Sequence, residues 1–502
     1  MTHDILIGID FGTGGCKITI TDCQGEVLDS LSGEYPSSHP HPGWSEQHPA
    51  DWWRVMCETL ARLQQRPVWQ NARVAAVAMD SYTHGAVLLD EQLQVIRPTI
   101  IWTDQRSAAE SRELKEKTGD MIFATGYQMP TPTWTLPQML WLKRHEPENM
   151  QRLRHISFVK DYIRFLLCGE LATDRIECQG TLFYDMKQHR WSDELCELGG
   201  FSSAMLPPIA GITDIAGKVT AEAAKATGLP IGTPVVMGTS DSAVEDYAAG
   251  AIEPGQCILK LATAGNVNVM TAEAHPHPAT LTYAHVIPGM WYTVTATNAA
   301  AICQRWFREL VCAEEKLEAE TTGVNVYEII DRKAKTSPPG SNGVFFHPYL
   351  SGERSPYWDP KLRGSFTGMS MGTTRGDLAR ALLEGVAYSL KDCHRTITEM
   401  QLPVKEYILI GGGAKSSIWS RIICDLFQAP CTVPASCDAS FGSALLAGVG
   451  VGVFPDEETA IRRCLKIARQ LEPDRSQAAF YEQQFALYRR LHDALAPVYA
   501  VM

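Results

Sequence analysis

Residues 5–21 (ILIGIDFGTGGCKITIT), near the start of the chain, constrain the fold more than any other stretch. Apolar residues run into Asp10, glycines bracket Thr13, and an alternation of apolar and polar residues then follows. The pattern predicts a β-hairpin with a tight glycine loop at its tip. Glycines such as Gly14 let backbone N–H groups approach an anion, and Thr13 adds a hydroxyl donor. The loop is therefore a candidate phosphate-binding turn, and a plain polar hairpin turn is the alternative.

Asp10 ends the first strand of this hairpin, directly before the turn. A carboxylate in that place can hold Mg²⁺, directly or through water, beside a bound phosphate. Two other phosphate-binding motifs are absent, because the sequence has neither a G-x-x-x-x-G-K-[ST] loop nor a G-x-G-x-x-G segment opening a helix. Asp10 is therefore the candidate metal ligand.

The size and charge of the chain narrow its class. At 502 residues it is too long for one ordinary domain, and we expect two or three. The net charge of −12 argues against a nucleic-acid partner, and no apolar run approaches the roughly 20 residues that a membrane helix needs. The 14 cysteines form no C-x-x-C pair, so neither a zinc site nor a disulfide framework is indicated. We expect a soluble, cytoplasmic protein with reduced cysteines.

A second informative stretch is residues 234–246 (PVVMGTSDSAVED). A short buried strand delivers Asp241 through a Gly-Thr-Ser turn to the start of a helix. Ser240 or Asp241 can cap that helix, so the sequence leaves capping and catalysis open for Asp241. Glu245 and Asp246 follow one turn later, where we expect a solvated helix face.

Residues 257–270 (CILKLATAGNVNVM) repeat the pattern of the first hairpin, with a turn from Thr263 to Gly265. Two such hairpins suggest two related domains, each presenting a phosphate loop. The Glu-Pro-Gly segment at 253–255 is the best boundary. We therefore expect one domain over residues 1–253 and a second over residues 254–502.

Two further strand ends carry candidate ligand contacts. Residues 80–85 (DSYTHG) follow a buried apolar strand, which is where α/β proteins place ligand contacts, although His84 can also be a satisfied turn residue. Residues 101–106 (IWTDQR) end another strand, and Arg106 can bind a hydroxyl or a carboxylate. The glycine triplet 411–413 leads from a strand into a helix and favours a nucleotide contact over a flexible connection.

In this order, these stretches resemble the FGGY carbohydrate kinases, most closely the xylulokinase and gluconate kinase branch. The resemblance runs from about Ile5 to Phe454, and its landmarks are PGWSEQHP (42–49), IWTDQR (101–106), KDYIR (160–164), HPYLSGERSP (347–356) and RGSFTG (363–368). It implies an α/β fold of two actin-like, ribonuclease H-like domains flanking a cleft for ATP and sugar. It also implies a small-molecule sugar substrate, with ATP and Mg²⁺ as cofactors.

The resemblance also implies a role for each candidate residue. Asp241 matches the catalytic base, and Asp10 matches the aspartate near Mg²⁺. The phosphate loops correspond to Thr13, Gly14, Thr263 and Gly265, and the adenosine contacts to Gly412, Gly413 and Ser417. On the sugar side the corresponding residues are Thr83, His84, Trp102, Asp104, Arg106 and Asp241.

The sequence departs from the family pattern at the sugar side. Residues 80–85 (DSYTHG) stand where xylulokinases have Ser-Gly-Gln-Met-His-Gly, and Gln138 stands where the first family signature usually has lysine. D-xylulose leads as the substrate, and gluconate, another pentulose or polyol, or an autoinducer-type compound stay open. The alternative class is a non-catalytic ATP- and sugar-binding protein of the same fold. The oligomeric state is open as well, a homodimer being one option.

Overall fold

The computed structural model describes residues 3–502 and builds them around two separate sheets. The first is six-stranded, in the order β13-β14-β5-β1-β2-β3, and the second is seven-stranded, in the order β17-β18-β16-β15-β21-β22-β23. The strands are β1 His3–Gly12, β2 Gly15–Asp22, β3 Val27–Glu34, β4 Glu46–Gln47, β5 Ala72–Ser81, β6 Ala86–Leu89, β7 Thr99–Ile100, β8 His155–Phe158, β9 Thr173–Asp174, β10 Tyr184–Asp185, β11 Arg190–Trp191, β12 Ile209–Ala210, β13 Ile215–Lys218, β14 Pro234–Val236, β15 Gln256–Leu261, β16 Gly265–Thr271, β17 Leu281–Ala284, β18 Trp291–Thr297, β19 Phe345–His347, β20 Ser365–Thr367, β21 Glu406–Ile410, β22 Cys431–Pro434 and β23 Ile467–Leu471.

Helices cover both sheets, which confirms the α/β expectation. They are α1 Pro49–Leu63, α2 Ala108–Gly126, α3 Thr135–His145, α4 Pro147–Arg152, α5 Val159–Cys168, α6 Asp193–Gly199, α7 Ala221–Thr227, α8 Asp241–Ala248, α9 Ala301–Val311, α10 Ala313–Thr322, α11 Val326–Lys335, α12 Arg375–Glu399, α13 Ser417–Phe427, α14 Ala439–Gly450, α15 Glu457–Cys464 and α16 Ala478–Tyr499. Among the helices of residues 3–502, none combines the length and apolar character needed to cross a membrane.

Both predicted hairpins are present, and each lies next to a parallel strand. β1 pairs antiparallel with β2 up to the Gly12–Gly15 pair, and β15 pairs antiparallel with β16 up to the Leu261–Gly265 pair. On its other side β1 pairs parallel with β5, and β15 pairs parallel with β21. Each glycine turn therefore lies at the carboxyl end of a central strand, which is where open α/β sheets bind ligands.

Two helices, α8 and α14, fill the space between the sheets. One apolar cluster joins Leu6 of the first sheet and Ile258 of the second to Val244 of α8 and Leu445 of α14. Although α14 comes late in the chain, it packs on β1 and β5 of the first sheet. The chain therefore crosses between its two halves more than once, and this shared apolar layer forms the floor of the cleft between them.

Candidate active site

The first glycine turn is held in place from outside by three side chains. Tyr35 donates a hydrogen bond to the carbonyl of Gly12, and Gln47 Nε2 donates to the carbonyl of Thr13 at 2.6 Å. Trp102 Nε1 donates to Thr13 Oγ1 at 2.8 Å. Because the Thr13 hydroxyl accepts this bond, its own hydrogen is free for an acceptor such as a phosphate oxygen. Gly14 at the tip of the turn is exposed.

The second glycine turn is fixed by the start of α9. The carbonyl of Thr263 accepts a hydrogen bond from the backbone of Ala300 at 2.9 Å, and the carbonyl of Ala262 accepts one from Ala301 at 2.7 Å. The Thr263 side chain is exposed, and Gly265 is buried against Thr297. Both turns thus have their carbonyls bonded to the protein, which suits a loop whose donors serve a phosphate.

Asp241 is not the N-cap of α8, a role that the sequence left open. The N-cap of α8 is Ser240, and Asp241 is the first helical residue. Asp241 Oδ1 accepts hydrogen bonds from the backbone N–H of Ser242 at 2.6 Å and from its hydroxyl at 3.2 Å. Burial raises the pKa of Asp241, and the nearby Lys260 ammonium opposes that rise. Such a carboxyl can act as a general base.

A pair of carboxyl groups lies near Asp241. Asp10 and Asp80 are opposite each other in the register of β1 and β5. Burial and then the charge of Asp241 raise the pKa of Asp10 to about 7. Burial and then the charge of Asp10 raise the pKa of Asp80 well above its usual range. Three acidic side chains therefore share one end of the first sheet.

The expectation of a solvated face at Glu245 and Asp246 is wrong for Asp246. Asp246 is buried, and both of its carboxylate oxygens accept hydrogen bonds from Asn268 Nδ2, at 3.0 and 2.9 Å. Glu245 is partly exposed and forms an ion pair with Lys260. The reason is that the second sheet packs over this face of α8, which local sequence does not reveal.

His84 and Thr83 are the residues for which polar contacts to a sugar are predicted. His84 has a left-handed backbone conformation (φ 76°), its Nδ1 bonds the carbonyl of Gly180, and its ring meets Trp134 edge-on at 4.6 Å between centroids. Burial lowers the pKa of His84 to about 4, so the imidazole is neutral at physiological pH. Thr83 packs directly against Gly180. The Nδ1 bond leaves Nε2 of His84 for a ligand hydroxyl.

Sequence patterns did not single out several aromatic side chains at this site. Tyr82 donates a hydrogen bond to Gln47 Oε1 at 2.8 Å, next to the first turn. Tyr283, on β17 of the second sheet, lies 6.2 Å from Trp134 between ring centroids. The β17 strand reaches the first half of the chain, where Thr282 exchanges hydrogen bonds with Gln128. No local signal marks Tyr283, because only this long-range contact brings it to the cleft.

Asp104 and Arg106 do not line a sugar pocket, and this prediction is corrected. Both side chains are completely buried and form an ion pair at 2.8 Å. Arg106 also pairs with Glu46 at 2.7 Å and stacks on Trp44 at 3.8 Å, and Asp104 accepts a hydrogen bond from the backbone of Ser45. A buried charge is costly unless it is paired, so Asp104 and Arg106 keep these contacts. The contacts fix the loop that also carries Trp102.

The glycine triplet adjoins the second phosphate turn. Gly411 has φ 86°, and a Cβ there would lie 2.7 Å from the backbone of Leu261, the residue that precedes the turn. Gly413 packs against the ring of Trp419. Gly412 has open space where a side chain would be, so a flat ligand can lie against its backbone. Ser417 starts α13, and its hydroxyl accepts a hydrogen bond from Lys335 at 3.2 Å.

Comparisons with known proteins agree with this architecture. Family profiles match the FGGY family of carbohydrate kinases, with the N-terminal domain at residues 5–246 and the C-terminal domain at residues 261–451. The chain is 32% identical to the xylulose kinase of Escherichia coli (strain K12), over 98% of this chain and 100% of that one. It is 28% identical to the gluconokinase of Bacillus subtilis (strain 168), over 88% and 87% of the two chains.

Solved structures match over the whole fold as well. The crystal structure of xylulose kinase from Rhodospirillum rubrum superposes with a TM-score of 0.89 at 29% identity, covering 99% of this chain and 100% of that one. The predicted family and the two-domain, actin-like fold class are therefore confirmed. The chain belongs to the FGGY family of carbohydrate kinases and is an ATP-dependent sugar kinase.

Proposed function

We propose that this kinase phosphorylates a terminal hydroxyl of a ketose, polyol or aldonate of about five or six carbons, with D-xylulose as the first choice. The observation that carries the proposal is Asp241, the first residue of α8, whose carboxyl lies near Asp10 of the first hairpin and Lys260 of the second. The names of the relatives support D-xylulose, and the gluconokinase relative supports gluconate as the second choice.

In this proposal, Asp241 accepts the proton of the attacking hydroxyl. Its position at the N-terminus of α8 favours the ionised form, because the helix dipole is positive there. The Thr13 and Thr263 turns offer backbone and hydroxyl donors to the phosphates of ATP. Phosphoryl transfer needs little covalent help from a protein, so positioning and charge stabilisation supply most of the catalysis.

Asp10 and Asp80 would hold Mg²⁺, which neutralises phosphate charge when it is bound. The fit rests on their oxygens: within residues 3–502, Asp10 Oδ1 and Asp80 Oδ1 are buried without a hydrogen-bond partner. The same residues contain no group of three or more acidic, histidine or cysteine side chains arranged for a metal. That agrees with Mg²⁺, which usually takes one or two carboxylates and completes its shell with water and phosphate.

The sugar would bind on the first half of the chain, with adenosine on the second. His84 Nε2 and Thr83 supply polar contacts, and Trp102, Trp134 and Tyr283 supply apolar walls. Gly412, Gly413 and Ser417 would contact adenosine. The domain division at 253/254 belongs to the same proposal, with the halves closing over the substrates. A homodimer stays a prediction, which sedimentation would test.

A coupled ADP-release screen tests this function. Pentuloses, hexuloses, polyols, aldonates and small diketones are compared at equal concentration, with Asp241→Asn as the background control. Buried polar contacts discriminate strongly against a missing hydroxyl, so one compound should exceed the rest by about 10⁴-fold in kcat/KM. Turnover confined to a diketone would overturn the substrate class. No stimulation by any compound would favour a non-catalytic ATP- and sugar-binding protein.

A further inference from the structure

Lys260 occupies a special place on the second phosphate hairpin. It lies on β15, three residues before Thr263. Its neighbours Leu259 and Leu261 belong to the apolar core of the second half, while Ile258 belongs to the cluster between the sheets. Because side chains alternate along a strand, Lys260 points to the same side as Ile258, toward α8. It therefore lies at the floor of the cleft, where β15 runs into the turn.

The Lys260 ammonium is anchored at this position by Glu245. The two side chains form an ion pair and are only 28% and 21% exposed. Glu245 follows Asp241 by one turn of α8, so the pair connects the strand of one phosphate turn to the helix of the candidate base. Burial lowers the pKa of Lys260, but the Glu245 carboxylate more than offsets this, so the pKa of Lys260 is raised and the amine keeps its charge.

The charges in the cleft indicate that the Lys260 ammonium can bind a phosphate in addition to Glu245. The turns contribute neutral donors, whereas Asp10, Asp80 and Asp241 contribute acidic groups that would repel a nucleotide phosphate. The Lys17 ammonium, on β2, is paired with Asp438 at 2.9 Å. An ammonium has three N–H donors, and Glu245 is the one salt-bridge partner of Lys260 among residues 3–502. The remaining donors can serve a phosphate oxygen.

We propose that Lys260 contacts the transferring γ-phosphoryl group and is a further catalytic residue of this kinase. The inference rests on the proposed function and adds a residue to it. Lys260 keeps its protons throughout the reaction. The sugar hydroxyl loses its proton to Asp241, its oxygen forms a bond to the γ-phosphorus, and the bond from that phosphorus to the bridging oxygen of ADP breaks. Lys260 would stabilise the charge on the equatorial phosphate oxygens during this transfer.

The Lys260 ammonium opposes the rise that burial causes in the pKa of Asp241, which supports this placement because the ammonium must then lie near the base. The competing explanation is that the Lys260–Glu245 pair only ties α8 to β15. Removing either partner would then do equal harm. A phosphate contact instead requires the ammonium and not the carboxylate, so the two partners can be separated by substitution.

The test compares Lys260→Met, Lys260→Arg and Glu245→Gln by calorimetric binding of AMP-PNP, ADP and adenosine, with thermal unfolding as the check on folding. K260M should bind AMP-PNP about tenfold more weakly than wild type. Its affinity for ADP should fall less, and its affinity for adenosine should be unchanged. K260R should restore most of the AMP-PNP affinity. E245Q should stay within about threefold of wild type, because the glutamine oxygen still accepts a hydrogen bond from the Lys260 ammonium and holds it in place. In steady-state turnover, K260M should lose about 10²-fold in kcat.

Arg462→Met is the matched control, because Arg462 pairs with Glu253 at 2.7 Å on the exposed surface. It should leave binding and turnover unchanged. Equal AMP-PNP affinity in wild type and K260M, or equal losses in K260M and E245Q, would overturn the inference. AMP-PNP binding needs no sugar. If K260M binds AMP-PNP more weakly but the wild-type protein phosphorylates no sugar, the proposed function is refuted. The contact between Lys260 and the phosphate is still supported in that case.

Discussion

Asp10 and Asp80 lie opposite each other on parallel strands, and the hydroxyl of Ser443 donates a hydrogen bond to Asp80 Oδ2 at 2.6 Å. Ser443 is on α14, the late helix that packs on the first sheet. The carboxyl end of the first strand is therefore connected through Asp80 to a helix more than three hundred residues later. The acidic end of β1, which is the proposed metal site, is therefore also in contact with a helix from the second half of the chain.

Replacing Asp80 by Asn should change how stability depends on pH. Asp80 and Asp10 have raised pKa values in the folded state, so the folded protein binds more protons than the unfolded one, and stability falls as pH rises from about 4 through about 7. Asn has the shape of the protonated Asp80 side chain but cannot lose a proton, so D80N should reduce the loss of stability with rising pH. Thermal unfolding from pH 4 to 8 in EDTA measures it, with the exposed Glu273→Gln as control. If the unfolding temperatures of D80N and wild type changed with pH in parallel, Asp80 would not have a raised pKa in the folded protein.

Asp241→Asn should keep ATP affinity and lower kcat by about 10²–10⁴-fold, the usual contribution of a general base. Because burial raises the pKa of Asp241, wild-type turnover should fall as pH drops through that raised pKa, and the remaining D241N activity should lack this acid limb. Asp246→Asn, on the same helix but bonded to Asn268, is the control for charge removal. A loss in D241N of less than about tenfold would exclude the base role.

Asp10→Ala should weaken Mg²⁺-dependent turnover more than sugar binding, because its proposed partner is the metal–phosphate complex. Mg²⁺ titrations of the rate, and direct Mn²⁺ binding followed by electron paramagnetic resonance, measure the two effects separately. Sugar binding by calorimetry is the internal control. An unchanged Mg²⁺ dependence together with unchanged Mn²⁺ binding would make Asp10 purely structural.

Arg106→Ala should act on stability rather than on sugar choice. The substitution leaves Asp104 as an unpaired buried charge, which typically costs about 3–5 kcal/mol in the free energy of unfolding. Urea unfolding measures this loss, and Arg54→Ala, which breaks an exposed pair with Glu58, should leave the midpoint nearly unchanged. If R106A folds normally but loses only its sugar affinity, Arg106 touches the substrate after all.

Local sequence determined the two hairpins with their glycine turns, and the strand–turn–helix that delivers Asp241. It could do so because a hairpin and a helix start depend on residues within about ten positions of one another. The glycine triplet at 411–413 was recognised for the same reason, since three adjacent glycines between strand and helix are a short-range signal. The order of these motifs also indicated the family, which the comparisons confirm.

Only the tertiary structure decided what faces these motifs. Asp246 is buried because Asn268 of the second sheet covers it, and Arg106 is internal because Glu46 of β4 reaches the loop that carries it. Lys260 meets Glu245 because β15 and α8, from opposite halves of the chain, close on one cleft. Burial and ion pairing are properties of neighbours in space, and neighbours contributed by separate sheets leave no periodic trace in the sequence of either partner.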